Sequence, residues 1–183
     1  YVMRSFREGD EASLARIYAV SRLDKDTVDI VRQDILEDPC FTPGRVFIAE
    51  HSGDIVGTAS TWLAPDEPDA GYLHMVGVLD GHRGKRLGVA LTCAALRFSR
   101  YEGFAIQRLM TDDWRDDAIR LYIDLGFYPL ITDPSHTMRW EAVGRRIGRP
   151  DIMDRMRAAS SLRGESFLSK LRRKVSSVVF IGP

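Results

Sequence analysis

The chain has 183 residues and a mass of 20.7 kDa, with 44% hydrophobic and 28% charged residues; that suits one domain with a sizeable core and excludes a disordered chain. Lys plus Arg equals Asp plus Glu at 26 each, so the whole chain is no polyelectrolyte. Its two cysteines, Cys40 and Cys93, give neither a disulfide framework nor metal-ligand spacing, and no apolar run reaches roughly 18 residues, which excludes a bilayer span.

In chain order, residues 2–7 read as a short strand, and Asp10 is placed to cap a helix over roughly 11–19 carrying Leu14, Ile17 and Tyr18 on one face. A second helical pattern runs from about Asp26 to Ile35. Arg45 to Ala49 and Ile55 to Trp62 are apolar strands around Ser52-Gly53-Asp54, a hairpin by its turn chemistry. Pro65 to Asp69 is a turn-rich break, and Tyr72 to Leu79 a strand ended by Asp80-Gly81-His82. Val89 to Tyr101 is a helix with Ala90, Leu91, Ala94, Ala95 and Phe98 on one side, closed by Gly103. Ile106 to Met110 is a strand, Asp116 to Leu125 a helix, and Tyr128 to Ile131 and Thr137 to Glu141 the last two strands. Strand, turn, helix and strand over 72–110 make a βαβ unit, and with the hairpin the sheet should be mixed.

The neutral total hides an asymmetry. Residues 141–183 carry ten Lys/Arg and four Asp/Glu, a net of +6, which leaves −6 on residues 1–140. With Gly144, Gly148 and Pro150 nearby, this predicts a boundary near Glu141: a main domain over 1–141 and a basic helical extension over 142–183. Asp151 to Ala159 and Glu165 to Val175 read as its helices, Val178 to Ile181 as its apolar end. The second helix puts Phe167, Leu168, Leu171 and Val175 on one face, expected to dock on the main domain or on a second subunit of a homodimer. Contact with anionic lipid or nucleic acid is the competing reading of its charge, and nucleic acid is not expected as a partner.

The turn Arg83-Gly84-Lys85-Arg86-Leu87-Gly88 carries the chemistry. Gly84 and Gly88 let backbone approach a ligand, the next helix opens with unpaired N–H groups, and three cations flank them: a cradle for phosphate oxygens. The spacing fits neither a P-loop nor a dinucleotide fingerprint. A solvated basic turn is the plain alternative.

With Val76-Gly77-Val78 before it and Val89-Ala90 after it, this turn resembles the acetyl-CoA signature of the GNAT-superfamily N-acetyltransferases, R/Q-x-x-G-x-G/A. Arg83 falls on the first position and Gly88 on the last. Arg86 replaces the middle glycine, so either the loop takes φ < 0 there or Arg86 adds charge for the phosphates. Ala118-Ile119-Arg120-Leu121-Tyr122 followed by Gly126-Phe127 is similar to the family's A-x-x-L-Y-x-x-x-G-F segment, with Arg115 where Asn is common. The resemblance implies an α/β (α+β) GNAT fold, a central mixed sheet of about six or seven strands flanked by helices, and a cytoplasmic enzyme.

It also implies direct attack of a primary amine, from a small molecule or a peptide, on the acetyl-CoA thioester, with no metal. The cofactor-binding residues would be Val76, Gly77, Val78, Arg83, Gly84, Lys85, Arg86, Leu87, Gly88, Val89 and Ala90. The main chain around Val76 and Val78 would pair with the pantetheine arm and polarise the thioester carbonyl. Tyr122 falls on the family's tyrosine, where a phenol of pKa about 10 can protonate a thiolate of about 8.5. Packing between helix and sheet is its plain alternative. His74 is the candidate base, expected on the same face as Val76 and Val78 with an imidazole pKa of about 6.5; a hydrogen-bonded structural histidine is the competing reading. Asp112 and Asp113 would bind an amine or cap the next helix. Tyr72 stands where some relatives carry an acidic base. A different acyl-CoA, an amino-sugar thiol acceptor as in mycothiol synthase, loosely matched by Thr111 to Asp113, and a catalytically degenerate CoA-binding module remain as alternatives.

Overall fold

The computed structural model describes residues 1–64, 67–131, 133–162 and 176–181, which belong to two compact units, Tyr1–Phe104 and Ala105–Pro183. In the first, strands β1 (Val2–Ser5), β2 (Val46–His51), β3 (Asp54–Ala64) and β4 (Glu67–Val78) pair antiparallel in chain order. The predicted hairpin is formed by β2 and β3 around Ser52-Gly53, whose φ values of 54° and 89° give the mirror-image turn that follows strand twist. The turn-rich break predicted over 65–69 is shorter than expected, because β4 already begins at Glu67.

Helices α1 (Glu11–Val20) and α2 (Val28–Val31), the latter continued by a π-helical stretch Arg32–Leu36, cover one face of this sheet. Leu14, Ile17, Tyr18, Val31 and Ile35 are buried there with Val46, Ile48 and Trp62, which follows from the period-2 spacing of Val46 and Ile48 and the helical spacing of the others. Asp10 does not cap α1 through its side chain. Its carboxylate instead accepts both terminal nitrogens of Arg4, at 2.7 and 2.9 Å, and the Arg7 amide at 2.7 Å. The capping role at α2 falls to Thr27, whose Oγ1 accepts from Ile30 N at 3.2 Å.

Helix α3 (Leu87–Tyr101) takes the other face, and a Cβ added at Gly57 would stand 3.0 Å from Leu91 Cδ1. It starts two residues earlier than predicted, and its buried stripe is Leu87, Leu91, Thr92, Ala95 and Ser99, while Ala90 is exposed. Two members of the stripe, Thr92 and Ser99, are small hydroxyl side chains, so it lies partly on residues that a hydropathy reading passes over.

In the second unit β5 (Ile106–Thr111) and β6 (Tyr128–Pro129) each pair in parallel with β7 (Ser176–Ile181). Helices α4 (Asp116–Asp124), α5 (Ser135–Arg146) and α6 (Asp151–Leu162) complete it. Antiparallel and parallel pairing are thus both present, as expected of a mixed sheet. The strand predicted over 137–141 is corrected: those residues lie inside α5, where His136, Trp140 and Val143 are buried at helical spacing and Ile147, just past its end, continues the stripe. A five-residue window hides that period. Helix α5 also runs through position 141, so the composition shift falls inside an element, and the apolar end at 178–181 is part of a strand. The predicted helix over 165–175 lies outside the described residues.

Candidate active site

Strand β4 leads into the site through a β-bulge. Its partners on β3 run Leu73 with Thr61 and His74 with Ser60, then Gly77 with Thr58 and Val78 with Gly57. Met75 and Val76 therefore share the place opposite Ala59, and Met75 takes a φ of 51°, in the left-handed region. Such strain in a non-glycine residue persists where the surroundings over-determine it. The extra residue changes which side chains share a face. His74 was expected beside Val76 and Val78; it lies instead on the α1–α2 face with Gly77, while Val78 follows Gly57 to the α3 face. Gly77 is fixed by close packing: a Cβ there would stand 2.7 Å from Ile17 Cγ2 and 2.8 Å from Ser21 Oγ.

Beyond β4 a single 3₁₀ turn, Asp80–His82, delivers the chain to the basic loop. Arg83 folds back, donating from Nε to Val78 O at 3.1 Å and pairing with Asp80 at 2.9 Å. Lys85 Nζ donates to Gly81 O at 3.1 Å. Gly84 has φ 72°, and a Cβ added there would meet nothing within 4 Å, so open space stands before its backbone. Arg86 is exposed with φ 61° and ψ 16°. Of the two readings of its departure from glycine, φ < 0 is excluded: the loop keeps the left-handed turn and places an arginine on it. The first bond into α3 is Ala90 N to Arg86 O, at 3.0 Å, which leaves the amides of Leu87, Gly88 and Val89 without an intrahelical acceptor. Open backbone, free helix-terminal donors and three cations together fit a pyrophosphate.

His74 is flanked by Trp62 and Tyr72, with ring centroids at 5.7 and 6.1 Å, and its Nδ1 is buried with no hydrogen-bond partner among the described residues. Burial, with Lys25 assisting and Asp38 opposing, pushes its pKa down to about 4. The expected value near 6.5 is corrected by desolvation, which disfavours the imidazolium.

The second unit holds the remaining candidates. Tyr122 is buried in α4, its ring 5.7 Å from that of Phe127. Asp112 pairs with Arg115 at 2.7 Å and Asp113 with Arg139 at 3.1 Å, so both carboxylates are already neutralised by guanidinium groups. Arg115 occupies the N-cap position of α4 and supplies no side-chain cap, having no acceptor to offer where the family's Asn would. The sequence reading missed the bulge at Met75 and the charged neighbours of His74. A break in the alternation of β4 is the only local signal for the first, and the second exists only once the strands and helices have assembled.

Residues 12–127 match the family model described as the acetyltransferase (GNAT) family, which is most of the chain. The chain belongs to that family. Among curated proteins it is similar to a mycothiol acetyltransferase from Frankia casuarinae, 36% identical over 115 residues that cover 57% of this chain and 32% of that protein. The chain therefore spans about a third of that relative's length. Among solved structures it resembles diaminobutyrate acetyltransferase from Paenibacillus lautus, solved with its substrate and coenzyme A, with a TM-score of 0.56, 20% identity, and coverage of 68% of this chain and 73% of that one. It also resembles ribosomal-protein-alanine N-acetyltransferase from Brucella melitensis, with a TM-score of 0.55, 22% identity, and coverage of 69% and 83%. These likenesses establish the GNAT fold.

Proposed function

We propose that this chain is an acetyl-CoA-dependent N-acetyltransferase in which a primary amine attacks directly within a ternary complex. The observation that carries the reading is the loop from Arg83 to Gly88, with open backbone at Gly84, a left-handed turn at Arg86 and the free first-turn amides of α3. Bound there, acetyl-CoA would supply the acetyl group as an activated thioester. The amides from Gly84 to Val89 would hold pyrophosphate oxygens at the positive end of α3, which continues through Ala90, with Arg83, Lys85 and Arg86 adding charge at the rim. The main chain of Val76, Gly77 and Val78 would hold the pantetheine arm, where the bulge takes one residue out of the ladder with β3.

His74 would receive the amine's proton. An imidazole titrating at about 4 leaves an ammonium protonated, so the amine arrives uncharged and gives up its proton as the bond to carbon forms. Tyr122 would hold a proton at Oη for the departing sulfur. The acceptor is an amine of a small molecule or a peptide. The naming of curated relatives as mycothiol acetyltransferases favours an amino-sugar thiol as a second reading. Release of coenzyme A thiol with a panel of amines, including the amine precursor of mycothiol, tests both. At least one amine should give turnover, and Tyr122→Phe should lower kcat about 10- to 100-fold with CoA affinity kept. CoA binding without turnover on any amine would favour a regulatory CoA-binding module.

A further inference from the structure

Directly before Arg83 the structure gathers three side chains to which the acetyl-transfer reading gives no task. His51 ends β2, His82 ends the turn into the basic loop, and Tyr1 precedes β1. Ring centroids lie 5.2 Å apart for His51 and His82, 4.7 Å for Tyr1 and His51, and 5.8 Å for Tyr1 and His82. Tyr1 Oη is 3.0 Å from His82 Nδ1, and Ser52 Oγ is 3.4 Å from His51 Nδ1. With a hydroxyl proton on each Nδ1, both rings carry their own hydrogen on Nε2, so each keeps one N–H for a further acceptor. None of these groups is buried, so a polar ligand can reach them.

The charged side chains that act on His82 are Lys85 from the basic loop and Asp54 from the start of β3. Lost hydration, Lys85 and His51 push the His82 pKa down, and Asp54 opposes them. Two imidazoles at this separation resist becoming cations together, and Lys85 adds to the repulsion. A dianion placed between them reverses the balance, because each proton taken up then gains an attraction. Two charge-assisted hydrogen bonds of about 2.8 Å can meet on one phosphate group from rings at this spacing.

We propose that His51 and His82 form a proton-linked subsite for the 3′-phosphate of coenzyme A, an inference that rests on the acetyl-CoA reading of the neighbouring loop. The pyrophosphate cradle begins one residue after His82, so a ligand held in it carries its second phosphate group within the same stretch of surface. Tyr1 and Ser52 orient the rings and Lys85 adds a fixed charge, while lost hydration, Lys85 and His51 together outweigh Asp54 and hold down protonation of His82 when the site is empty. By linkage, phosphate binding draws protons onto the imidazoles, and a lower pH tightens phosphate binding by the same factor.

The test is calorimetric titration of CoA and 3′-dephospho-CoA into the chain and into a His51→Gln, His82→Gln variant, in phosphate-free buffer at pH 6.5 and 8.5. In the parent, CoA should bind about tenfold more tightly than dephospho-CoA at pH 6.5, and less than about twofold more tightly at pH 8.5. The phosphate's own second ionisation, near pH 6, would push the ratio up with pH, so a fall belongs to the imidazoles. In the variant the ratio should be small and flat, with dephospho-CoA bound as in the parent. A parent ratio that stays constant or rises with pH overturns the subsite, as does a variant that keeps the parent's ratio or loses dephospho-CoA as well. If the parent binds neither nucleotide, the acetyl-CoA reading fails first and the subsite with it.

Discussion

Arg86 holds a backbone conformation that glycine adopts more easily, and the cost of that choice can be measured. A left-handed non-glycine residue is strained by about 1 kcal/mol or more. Arg86→Gly should therefore leave thermal stability unchanged or raise Tm by about 2–4 °C, while weakening acetyl-CoA binding through the lost cation; Arg86→Val should lower Tm. Gly77 gives the opposite case. Its missing Cβ is occupied by Ile17 and Ser21, so Gly77→Ala should cost about 1–3 kcal/mol in denaturant unfolding. His74 links the site to pH. Its folded pKa of about 4 lies below the ordinary histidine value, so the unfolded chain binds the extra proton first, and stability present above about pH 6.5 is lost as pH falls toward 4. The loss attributable to this group is about 3 kcal/mol, and the pH dependence of unfolding in His74→Gln should be flatter over that interval by that amount.

Elements were legible in the sequence where one periodicity ruled. The β2–β3 hairpin, α1 and β5 are where alternation, helical spacing and turn residues place them. The bulge in β4 was not legible, because one inserted residue leaves composition untouched and still reassigns every later side chain to the opposite face. Helix α5 was read as a strand because Thr137 to Glu141 shows less than two turns of its stripe. Asp10 was read as a cap, yet its carboxylate joins β1 to the start of α1 through Arg4, which also meets Glu50 at 2.7 Å. Both Arg4 and Asp10 are largely buried. Asp10→Asn should cost about 1–3 kcal/mol, whereas loss of a surface cap at Thr27 by Thr27→Ala should cost about 1 kcal/mol. Equilibrium unfolding of the two variants separates these values.

Across the whole molecule, opposite net charges of the two sequence segments are partly paired within the second unit. Arg146 reaches Asp116 at 2.7 Å and Arg149 meets Asp124, each across the two segments, while Arg149 also meets Asp151 of its own segment at 2.8 Å. A basic excess that looked available to an outside partner thus has internal partners over part of its length. The basic loop was the most legible part of the candidate site, since its glycines and cations are contiguous. His74 and the His51–His82 pair owe their surroundings to distant segments, and no local pattern announces those. The most direct test of the whole account is isothermal titration of acetyl-CoA into the chain beside an Arg83→Ala, Gly88→Asp variant. That variant removes one rim cation and places a carboxylate in the first turn of α3, where it is compatible with the helix but repels phosphate. Affinity on the order of micromolar in the parent, lost in the variant, is the predicted result. No binding to the parent, or equal binding to both, would contradict the account.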